Sequence, residues 1–464
     1  MSEQAAEGLL DRAWRRIGSL WRDMAATVAG ESDDDIATQM HACLDARGGE
    51  ISTRNRAARL AEAYVALDEE GRLSFFRTLA SFDSDPKEVA TAMHAVSEAT
   101  DEAGQAAARV RLRRALEPPR VRLLTQFTTI PDGMKFLVDM RAALLRHTRG
   151  DPALSALEAD FRTLLATWFD VGFLELRHID WDSPASLLEK IVGYEAVHQI
   201  RSWRDLKNRL DVDRRCYGFF HPRMPDEPLI FVEVALMRGL ADSVQRLLDE
   251  SAPHEDPRGA DTAIFYSISN CHRGLDGISF GNFLIKRVVE LLGTELRNLK
   301  SFATLSPLPG FRRWLDETLP TMPEDAFSRE ETDALKAVVP DAATGPAALA
   351  AIIARRGWSR EAPAREAVEA VLPRLGARYL VLESHPKGRR ARDPVAHFHL
   401  SNGARVERIN WLADTSDKGM KESAGLMVNY LYDPAKIEVW HEAYAGERKR
   451  TASTAVRKLA RGWA

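Results

Sequence analysis

Residues 277–281 carry the pattern that most directly suggests covalent chemistry. Gly277-Ile278-Ser279-Phe280-Gly281 matches Gly-x-Ser-x-Gly, with which α/β-hydrolases present a nucleophilic serine between a strand and a helix. The residues that follow favour a helix, but the apolar stretch 263–269 ends too early, and a polar, glycine-containing stretch separates it from the pattern. No His-Gly-Gly-Gly segment, which would build an oxyanion hole, precedes it. A five-residue pattern without its strand does not establish a hydrolase.

The same glycines allow a different interpretation, which is a phosphate-binding loop. Gly274, Gly277 and Gly281 lie between a predicted strand and a predicted helix, and Lys286 and Arg287 follow closely. A helix N-terminus binds phosphate through its free N–H groups and its dipole. This arrangement indicates an anionic, nucleotide-bearing ligand such as coenzyme A. A tight turn into a core helix explains the glycines equally well, so spacing alone leaves both interpretations open.

His397 and His399 flank Phe398 in a segment that we predict to be a strand. Alternate residues of a strand share one face, so both imidazoles would point the same way. His-x-His can ligate a metal ion, but no carboxylate follows before Glu407 and no third ligand is evident. We therefore predict no metal site. A histidine at a strand end is better suited to acid–base chemistry.

Ser306 follows a predicted strand at residues 302–305 and precedes a proline-rich turn. Pro307 and Pro309 fix the backbone, whereas Gly310 frees it, so the serine lies on a rigid loop. This rigidity suits a firmly held reactive hydroxyl. It also suits a purely structural turn into the next helix, and the spacing does not decide between the two.

The elements that must position these residues fall into two parts. Apolar residues three and four apart predict helices in segments 10–28, 58–67, 136–145 and 154–169, with few strand signals before residue 170. We therefore predict an α+β protein, in which a helical bundle domain at 1–168 precedes an α/β domain at 169–464. In the second part we predict strands at 172–179, 216–220, 229–234, 263–269, 302–305, 379–382, 395–400 and 406–411, and helices at 282–292, 416–431 and across most of 324–375.

Composition excludes several classes of protein. The 464 residues include 64 Lys and Arg against 68 Asp and Glu, a net charge of −4 that argues against a nucleic-acid-binding protein. Three widely spaced cysteines, Cys43, Cys216 and Cys271, indicate neither a disulfide framework nor a zinc site and fit a reducing compartment. No apolar run reaches membrane-spanning length, and no secretory signal is evident at the start. We expect a cytoplasmic protein with no membrane partner.

Seven ordered blocks between about residues 215 and 435 give the chain a specific resemblance. On these blocks it resembles the malonyl-CoA decarboxylases. The blocks are HPRMPDEPL at 221–229, AIFYSIS at 263–269, GNFLIKRVV at 281–289, LSPLPGF at 305–311, PVAHFHLSNG at 394–403, INW at 409–411 and GLMVNY at 425–430.

The resemblance implies a fold, an activity and an assembly. It implies a helical N-terminal domain used in oligomerisation and a catalytic domain similar to the N-acetyltransferases. It implies conversion of malonyl-CoA to acetyl-CoA and CO2, with no metal, biotin or other cofactor, by a homo-oligomer such as a dimer or tetramer.

The resemblance also assigns site residues. It places the catalytic serine at Ser306, the catalytic histidine at His399 and a further catalytic tyrosine at Tyr432, with Tyr430 as the nearby alternative. It implies that Ser267 contacts the substrate. The implied substrate-binding loop comprises Asp276, Gly277, Ile278, Ser279, Phe280, Gly281 and Asn282. Eukaryotic members carry a glutamate where this chain has Ser279, so a carboxylate role at that position is in doubt here.

Decarboxylation assigns a task to each of these side chains. Loss of CO2 leaves an enolate, which requires fixed hydrogen-bond donors and then a proton at the α-carbon. We predict that His399 donates that proton. Ser306 would hydrogen-bond the carboxylate or the enolate and relay a proton, and Tyr432 would orient His399 or donate to the oxyanion.

Two other functions remain open at the level of sequence. The fold would also suit an acyl-CoA-dependent N-acetyltransferase, which needs a pocket for an amine, or a non-catalytic CoA-binding scaffold. Acyl transfer to an amine, or CoA binding without turnover, would distinguish these from loss of CO2. Arg389, Arg390 and Arg392 are candidates for contacting the CoA 3′-phosphate, although a solvated loop explains them as well.

Overall fold

The computed structural model describes residue 21 and residues 35–45, 49–278 and 283–461. Its first part is helical, as predicted for segments 58–67, 136–145 and 154–169. Apart from Trp21, the helix predicted at 10–28 lies outside the described residues. Aspartate side chains cap several of these helices by accepting hydrogen bonds from first-turn N–H groups, for example Asp68, Asp101 and Asp151. The helices are α1 Ile36–Leu44, α2 Glu50–Ala66, α3 Glu69–Ser81, α4 Pro86–Glu98, α5 Glu102–Leu116, α6 Pro119–Phe127, α7 Gly133–Leu144 and α8 Pro152–Trp168.

The second part combines strands and helices, which confirms the predicted fold class of a helical domain followed by an α/β domain. Its strands are β1 Glu175–Ile179, β2 Arg214–His221, β3 Met224–Met237, β4 Thr262–Asn270, β5 Ser301–Thr304, β6 Ser306–Pro307, β7 Arg405–Asn410 and β8 Met427–Tyr432. Its helices are α9 Ala185–Tyr194, α10 Trp203–Arg209, α11 Val244–Leu247, α12 Phe283–Glu295, α13 Phe311–Thr318, α14 Arg329–Val338, α15 Gly345–Ala354, α16 Ala362–Glu369, α17 Leu372–Val381, α18 Pro394–Ser401, α19 Asp417–Ser423, α20 Ile437–Glu447 and α21 Thr454–Ala460.

The strands form one mixed sheet of eight strands, in the order β1-β2-β3-β4-β5-β8-β6, with β7 also paired to β8. Neighbours from β1 to β4 are antiparallel, whereas β4 and β5 are parallel. Strands β5 and β6 pair with β8 in one continuous register, since Phe302 faces Tyr432 and Ser306 faces Val428. Strand β7 pairs with the same residues of β8 and must therefore occupy its other edge.

The sheet divides between β4 and β6, and this division matters for the site. Parallel pairing of β4 with β5 ends at Phe265 and Thr304. After that point β6 pairs only with β8, while residues 266–270 of β4 have strand pairing only with β3 within the described chain. Residues 266–270 therefore present a free backbone edge toward the gap between the two strands.

Three predicted elements are wrong, and local capping explains the first. Residues 395–400 form helix α18 rather than a strand, because the Asp393 side chain accepts hydrogen bonds from the N–H groups of Val395 and Ala396. Pro394 occupies the first turn, where its missing N–H costs nothing. Residues 379–382 end helix α17 or follow it. The predicted helix 416–431 stops at Ser423, where Ala424 and Gly425 adopt positive φ, and strand β8 follows.

The helical part and the sheet part share one core. Buried apolar residues of both, such as Phe136, Leu137 and Leu165 from helices and Leu275 and Ile278 beside the sheet, belong to one continuous cluster. Helix α8 ends at Trp168 and β1 begins at Glu175. The division of the chain into domains 1–168 and 169–464 stays a prediction.

Candidate active site

Ser306, His399 and Tyr432 meet in one hydrogen-bonded array between two strands of the sheet and helix α18. Ser306 Oγ lies 3.0 Å from His399 Nε2, and His399 Nδ1 lies 2.8 Å from the Tyr432 hydroxyl. Ser306 Oγ also donates to Thr304 Oγ1 at 2.9 Å. All four side chains are buried. The three residues assigned by resemblance from separate parts of the sequence are therefore adjacent in space.

Each member of the array is held by a different element. Ser306 begins β6, directly after the break in the strand at Leu305. His399 is presented by α18, whose N-terminus is fixed by the Asp393 cap. Tyr432 ends β8, and Tyr430, two residues earlier, stacks its ring on the His399 imidazole with ring centres 4.5 Å apart. Because residues two apart on a strand share one face, both tyrosines contact His399. Tyr432 does so through its hydroxyl and Tyr430 through its ring.

The directions of the hydrogen bonds assign the tautomer of His399. A serine hydroxyl has one hydrogen, and Ser306 donates it to Thr304 Oγ1. The Ser306 oxygen must then accept from His399, so Nε2 carries the hydrogen. Nδ1 is left as an acceptor for the Tyr432 hydroxyl hydrogen. The imidazole is thereby arranged to give a proton toward Ser306 rather than to take one from it.

The protonation of His399 is controlled by burial. Burial lowers the pKa of His399 to about 3 and raises the pKa of Tyr432 well above its ordinary value. The Nδ1 partner is a neutral tyrosine rather than a carboxylate, so it does not favour the imidazolium. His399 is therefore neutral throughout the physiological range of pH.

We expect the ring nitrogen chemical shifts of His399 to stay at their neutral values from pH 8 to pH 5. The folded-state pKa lies below the unfolded value of about 6.5, so the unfolded chain binds the extra proton at acidic pH. The stability that His399 contributes is therefore complete above about pH 6.5 and is lost as the pH falls toward the folded-state pKa. Nitrogen-15 histidine spectra, assigned with a His399→Gln variant, measure this directly.

The urea-unfolded protein is the control for that titration, because its histidines should all titrate near the ordinary value of about 6.5. A His399 signal in the folded protein that titrates between pH 6 and 7 would contradict the assigned neutral state.

A cavity of about 260 Å³ lies against the array, in the gap between β4 and β6. Ser306 and His399 contribute to its polar wall together with Ser267 and Asn270. The apolar wall includes Val197, Phe265 and Val395. Asn270, Pro394 and Phe398 also line a second cavity of about 510 Å³, so the two spaces adjoin. The free edge of β4 therefore runs along a path from the array to the larger cavity.

The larger cavity is bordered by part of the predicted binding loop. Asp276, Gly277 and Ile278 line it, whereas Ser279, Phe280, Gly281 and Asn282 lie outside the described residues. Strand β4 ends at Asn270, and a 3₁₀ helix at Arg273–Leu275 separates it from the Gly-x-Ser-x-Gly pattern. The strand-to-serine connection of a nucleophile elbow is therefore not present.

Ser267 lies at the wall of the smaller cavity, but its hydroxyl is bound to a buried carboxylate. It donates to Glu195, with oxygen distances of 2.9 and 2.7 Å, and the Ser269 hydroxyl donates to the same group. Glu195 also accepts from the N–H groups of Val197 and His198. Ser267 thereby fixes the turn that carries Val197 to the cavity.

The two histidines of His-x-His do not act together, which corrects the strand interpretation. In helix α18, residues two apart point in different directions. His397 Nδ1 bonds the Tyr444 hydroxyl at 2.8 Å, whereas His399 faces Ser306. Within the described part of the chain, no group of three or more His, Cys, Asp or Glu side chains could hold a metal ion.

Of the three arginines near residue 390, two line a separate cavity of about 440 Å³ beside α18. They are Arg390 and Arg392, and Arg392 forms an ion pair with Glu317. His397 and Pro394 belong to the walls of both this cavity and the larger one above. Lys286, predicted to accompany the loop, forms an ion pair with Glu438, and Arg287 is exposed.

Sequence reasoning missed two residues that shape this site. Thr304 carries the acceptor for the Ser306 hydroxyl, and its position two residues before Ser306 in the sequence was the available signal. Arg141, on helix α7, donates to backbone carbonyls of the binding loop. No local pattern links Arg141 to a loop that lies more than a hundred residues away in sequence.

Two family models, one for each domain of the same kind of protein, match the chain. The model described as "Malonyl-CoA decarboxylase C-terminal domain" matches residues 172–463, and the model described as "Malonyl-CoA decarboxylase N-terminal domain" matches residues 82–169. Together they cover the whole of the sheet part and the second half of the helical part.

Curated relatives and solved structures agree with these matches. The rat "Malonyl-CoA decarboxylase, mitochondrial" is 36% identical over 414 residues, 86% of this chain and 82% of the rat protein. The goose protein of the same name is 37% identical over 357 residues, 75% of this chain and 70% of its own. The crystal structure of malonyl-CoA decarboxylase from Rhodopseudomonas palustris is 42% identical, with a TM-score of 0.82, covering 92% of this chain and 100% of its own.

Within the described residues, no helix has the length and apolar character that crossing a membrane requires.

Proposed function

Because the chain belongs to the malonyl-CoA decarboxylase family, we propose that it converts malonyl-CoA to acetyl-CoA and CO2. The observation that carries this proposal is the buried array of Ser306, His399 and Tyr432 at the inner end of the cavity beside β4. The array combines a fixed hydroxyl with a neutral imidazole whose N–H points at it, which are the groups an enolate intermediate requires.

The coenzyme A arm is proposed to follow the free edge of β4. Residues 266–270 present backbone groups without a strand partner on that side in the described chain. An extended pantetheine chain with amide groups could hydrogen-bond to this edge, much as a peptide adds to a sheet. The thioester would then lie near Ser306, and the phosphates would lie at the loop of Asp276 to Asn282 and the start of α12.

The chemical step requires one bond to break and one to form. The bond between the α-carbon and the carboxyl group breaks, CO2 departs, and its electron pair is delocalised onto the thioester oxygen as an enolate. One proton then adds to the α-carbon. Val197, Phe265 and Val395 supply an apolar wall that disfavours the localised carboxylate charge relative to the delocalised enolate. The hydrogen of the Ser306 hydroxyl, which bonds Thr304 Oγ1 in this structure, would turn to the enolate oxygen and stabilise it.

His399 is proposed as the source of the proton. Its Nε2–H points at Ser306, and an imidazole N–H is more acidic than the α-C–H bond of a thioester. Transfer from Nε2, directly or through the Ser306 hydroxyl, leaves negative charge on the ring. The Tyr432 hydroxyl, which donates to Nδ1, stabilises that charge until solvent returns a proton. The complete reaction consumes one proton, as the loss of CO2 from a carboxylate demands.

The electrostatics of the array favour decarboxylation over hydrolysis. A serine nucleophile requires its histidine to accept a proton and become imidazolium, usually beside a carboxylate. Burial instead lowers the pKa of His399 to about 3, and its Nδ1 partner is a tyrosine. An N-acetyltransferase or a non-catalytic CoA-binding scaffold remains the alternative that the next experiment distinguishes.

The deciding experiment incubates chelator-treated protein with malonyl-CoA alone and follows the products by mass spectrometry. We expect acetyl-CoA and CO2 without added metal or cofactor. In heavy water the acetyl group should gain one deuterium. Free malonate and CoA would instead indicate a hydrolase, acetylation of an added amine would indicate a transferase, and CoA binding without turnover would indicate a scaffold.

Three further properties stay proposals. The protein needs no cofactor, it forms a homo-oligomer through its helical part, and it resides in the cytoplasm. The rat and goose relatives are named as mitochondrial, so the location of this chain requires its own measurement.

A further inference from the structure

Arg141 is a buried residue of the helical part that contacts the binding loop of the sheet part. Its Nη1 donates to the carbonyl oxygen of Gly274 at 2.6 Å, and its Nη2 donates to that of Asp276 at 2.9 Å. The other edge of the guanidinium binds the Glu158 carboxylate from helix α8 at 2.6 Å. The planar guanidinium of Arg141 therefore connects helices α7 and α8 to the backbone at Gly274 and Asp276.

The approach of the loop to helix α7 is unusually close. A Cβ placed on Gly274 would lie 1.8 Å from the carbonyl oxygen of Val138, which belongs to α7. Only glycine permits this contact. The conformation of residues 274–278 is therefore fixed by the helical part as well as by their own sequence, and Gly274 serves this packing rather than direct approach to a ligand.

Residues Leu275 to Ile278 form a type II β-turn, in which the central peptide has a defined orientation. The N–H of Ile278 bonds the carbonyl of Leu275, Asp276 has φ −58° and ψ 134°, and Gly277 has φ +74°. A type II turn differs from type I mainly by a rotation of its central peptide, and it requires a residue with positive φ at Gly277. Arg141 accordingly holds the peptide between Asp276 and Gly277.

That peptide carries an N–H donor that is unused within the described part of the chain. In a trans peptide the carbonyl and the following N–H point in opposite directions, so the Gly277 N–H points away from Arg141. It has no hydrogen-bond partner in the described chain, and Asp276, Gly277 and Ile278 line the larger cavity. Rotation of the peptide to type I would exchange this donor for a carbonyl oxygen, which repels an anion.

From this geometry we infer that Arg141 is a positioning residue for the phosphate end of the acyl-CoA ligand. By binding the Asp276 carbonyl it keeps the Gly277 N–H directed at the cavity, so the helical part sets the affinity for the nucleotide moiety. This inference rests on the proposed function only in taking the ligand to be an acyl-CoA.

The test uses two probes and matched variants. CoA and pantetheine, which lacks the nucleotide and its phosphates, are titrated calorimetrically into the wild type and into Arg141→Met, and KM and kcat are measured with malonyl-CoA and malonyl-pantetheine. We expect Arg141→Met to weaken CoA binding and raise the KM for malonyl-CoA by about tenfold or more, with kcat within about twofold. Values for the two pantetheine probes should change by less than about twofold.

Two further variants separate positioning from stability. Arg141→Lys keeps a cation beside Glu158 but cannot bind both carbonyls in a fork, so we expect a smaller loss of CoA affinity. Gly277→Ala disfavours the positive φ of the turn and leaves Arg141 unchanged. We expect it to weaken CoA binding as well. Arg120→Met is the control, because Arg120 is also buried in the helical part and bonds Asp160 and the Ala80 carbonyl, away from the loop.

The outcomes separate this inference from the proposed function. An equal loss for CoA and pantetheine probes in Arg141→Met, or unchanged CoA affinity, would overturn the role of Arg141 even if the wild type decarboxylates malonyl-CoA. A wild type that binds CoA but does not release CO2 would overturn the proposed function, while a selective loss of CoA binding in Arg141→Met would still support the inference. A wild type that does not bind CoA would overturn both.

Discussion

The His399→Gln variant is expected to lower kcat for malonyl-CoA decarboxylation by about 10³-fold, within the range that general acid–base groups contribute. A glutamine amide can place an N–H near the position of Nε2 and preserve the hydrogen bond to Ser306. It cannot give up that proton to an enolate, because an amide N–H is a far poorer acid than an imidazole N–H. The variant therefore removes proton donation while retaining most of the packing, and KM should change little.

The matched control for this variant is Tyr432→Phe, which keeps the histidine and removes only the donor to Nδ1. We expect about a tenfold loss of kcat, the effect of about one hydrogen bond to a group that gains charge in the transition state. The measurement is release of labelled CO2 together with the circular dichroism of each variant. A His399→Gln protein that keeps more than a tenth of the wild-type kcat would exclude His399 as the proton source.

The fold could be predicted well where local patterns and tertiary structure agree. Apolar spacing correctly predicted helices at 58–67, 136–145 and 154–169, and β-rich runs correctly predicted β2, β3, β4 and β7. The site could be predicted only in part. Pro307 and Gly310 predict a rigid loop after Ser306 but do not distinguish a reactive hydroxyl from a structural turn. The pairing of Ser306 with His399 rests on the resemblance, since 93 residues separate the two.

The failures have specific physical causes. Val395 to Leu400 alternates in a way that favours a strand, but the single Asp393 cap, which bonds two N–H groups, makes helix the better solution. The error mattered for function, because a strand would have turned His397 and His399 to the same side. Similarly, Tyr432 was placed after a helix, whereas the turn at Ala424 and Gly425 begins strand β8 and brings alternate tyrosines to His399.

Arg141 illustrates what no local pattern contains. Nothing in the residues around it distinguishes it from an ordinary helix-surface arginine, yet it is almost completely buried and bonds the loop at Gly274 and Asp276. At the level of sequence, Gly274 and Gly277 fit a phosphate-binding loop and a tight turn equally well. The structure gives the two glycines separate tasks, since Gly274 packs on α7 and Gly277 permits the type II turn.

The Ser306→Ala variant is expected to lower kcat by about 10²- to 10³-fold, which is the usual cost of removing one donor to a developing oxyanion. The structure separates this role from that of a nucleophile. The Ser306 hydrogen is donated to Thr304, and the Ser306 oxygen accepts from His399, so the hydroxyl is not poised to lose its proton to the imidazole. No acyl-enzyme should therefore form, and intact-protein mass spectra of the wild type quenched during turnover should show no adduct.

Thr304 supplies the graded comparison for this experiment. Thr304→Val keeps the shape of the side chain but removes the oxygen that orients the Ser306 hydroxyl and also accepts from the Tyr430 N–H. We expect about a tenfold loss of kcat or more, the effect of one to two hydrogen bonds. Thr304→Ser keeps the acceptor and should retain most of the activity. An acyl adduct at Ser306 would contradict the donor role, because a group that only stabilises an enolate forms no covalent bond to the substrate. A Ser306→Ala variant whose kcat is within about threefold of the wild-type value would also contradict it, because loss of such a donor must slow the reaction.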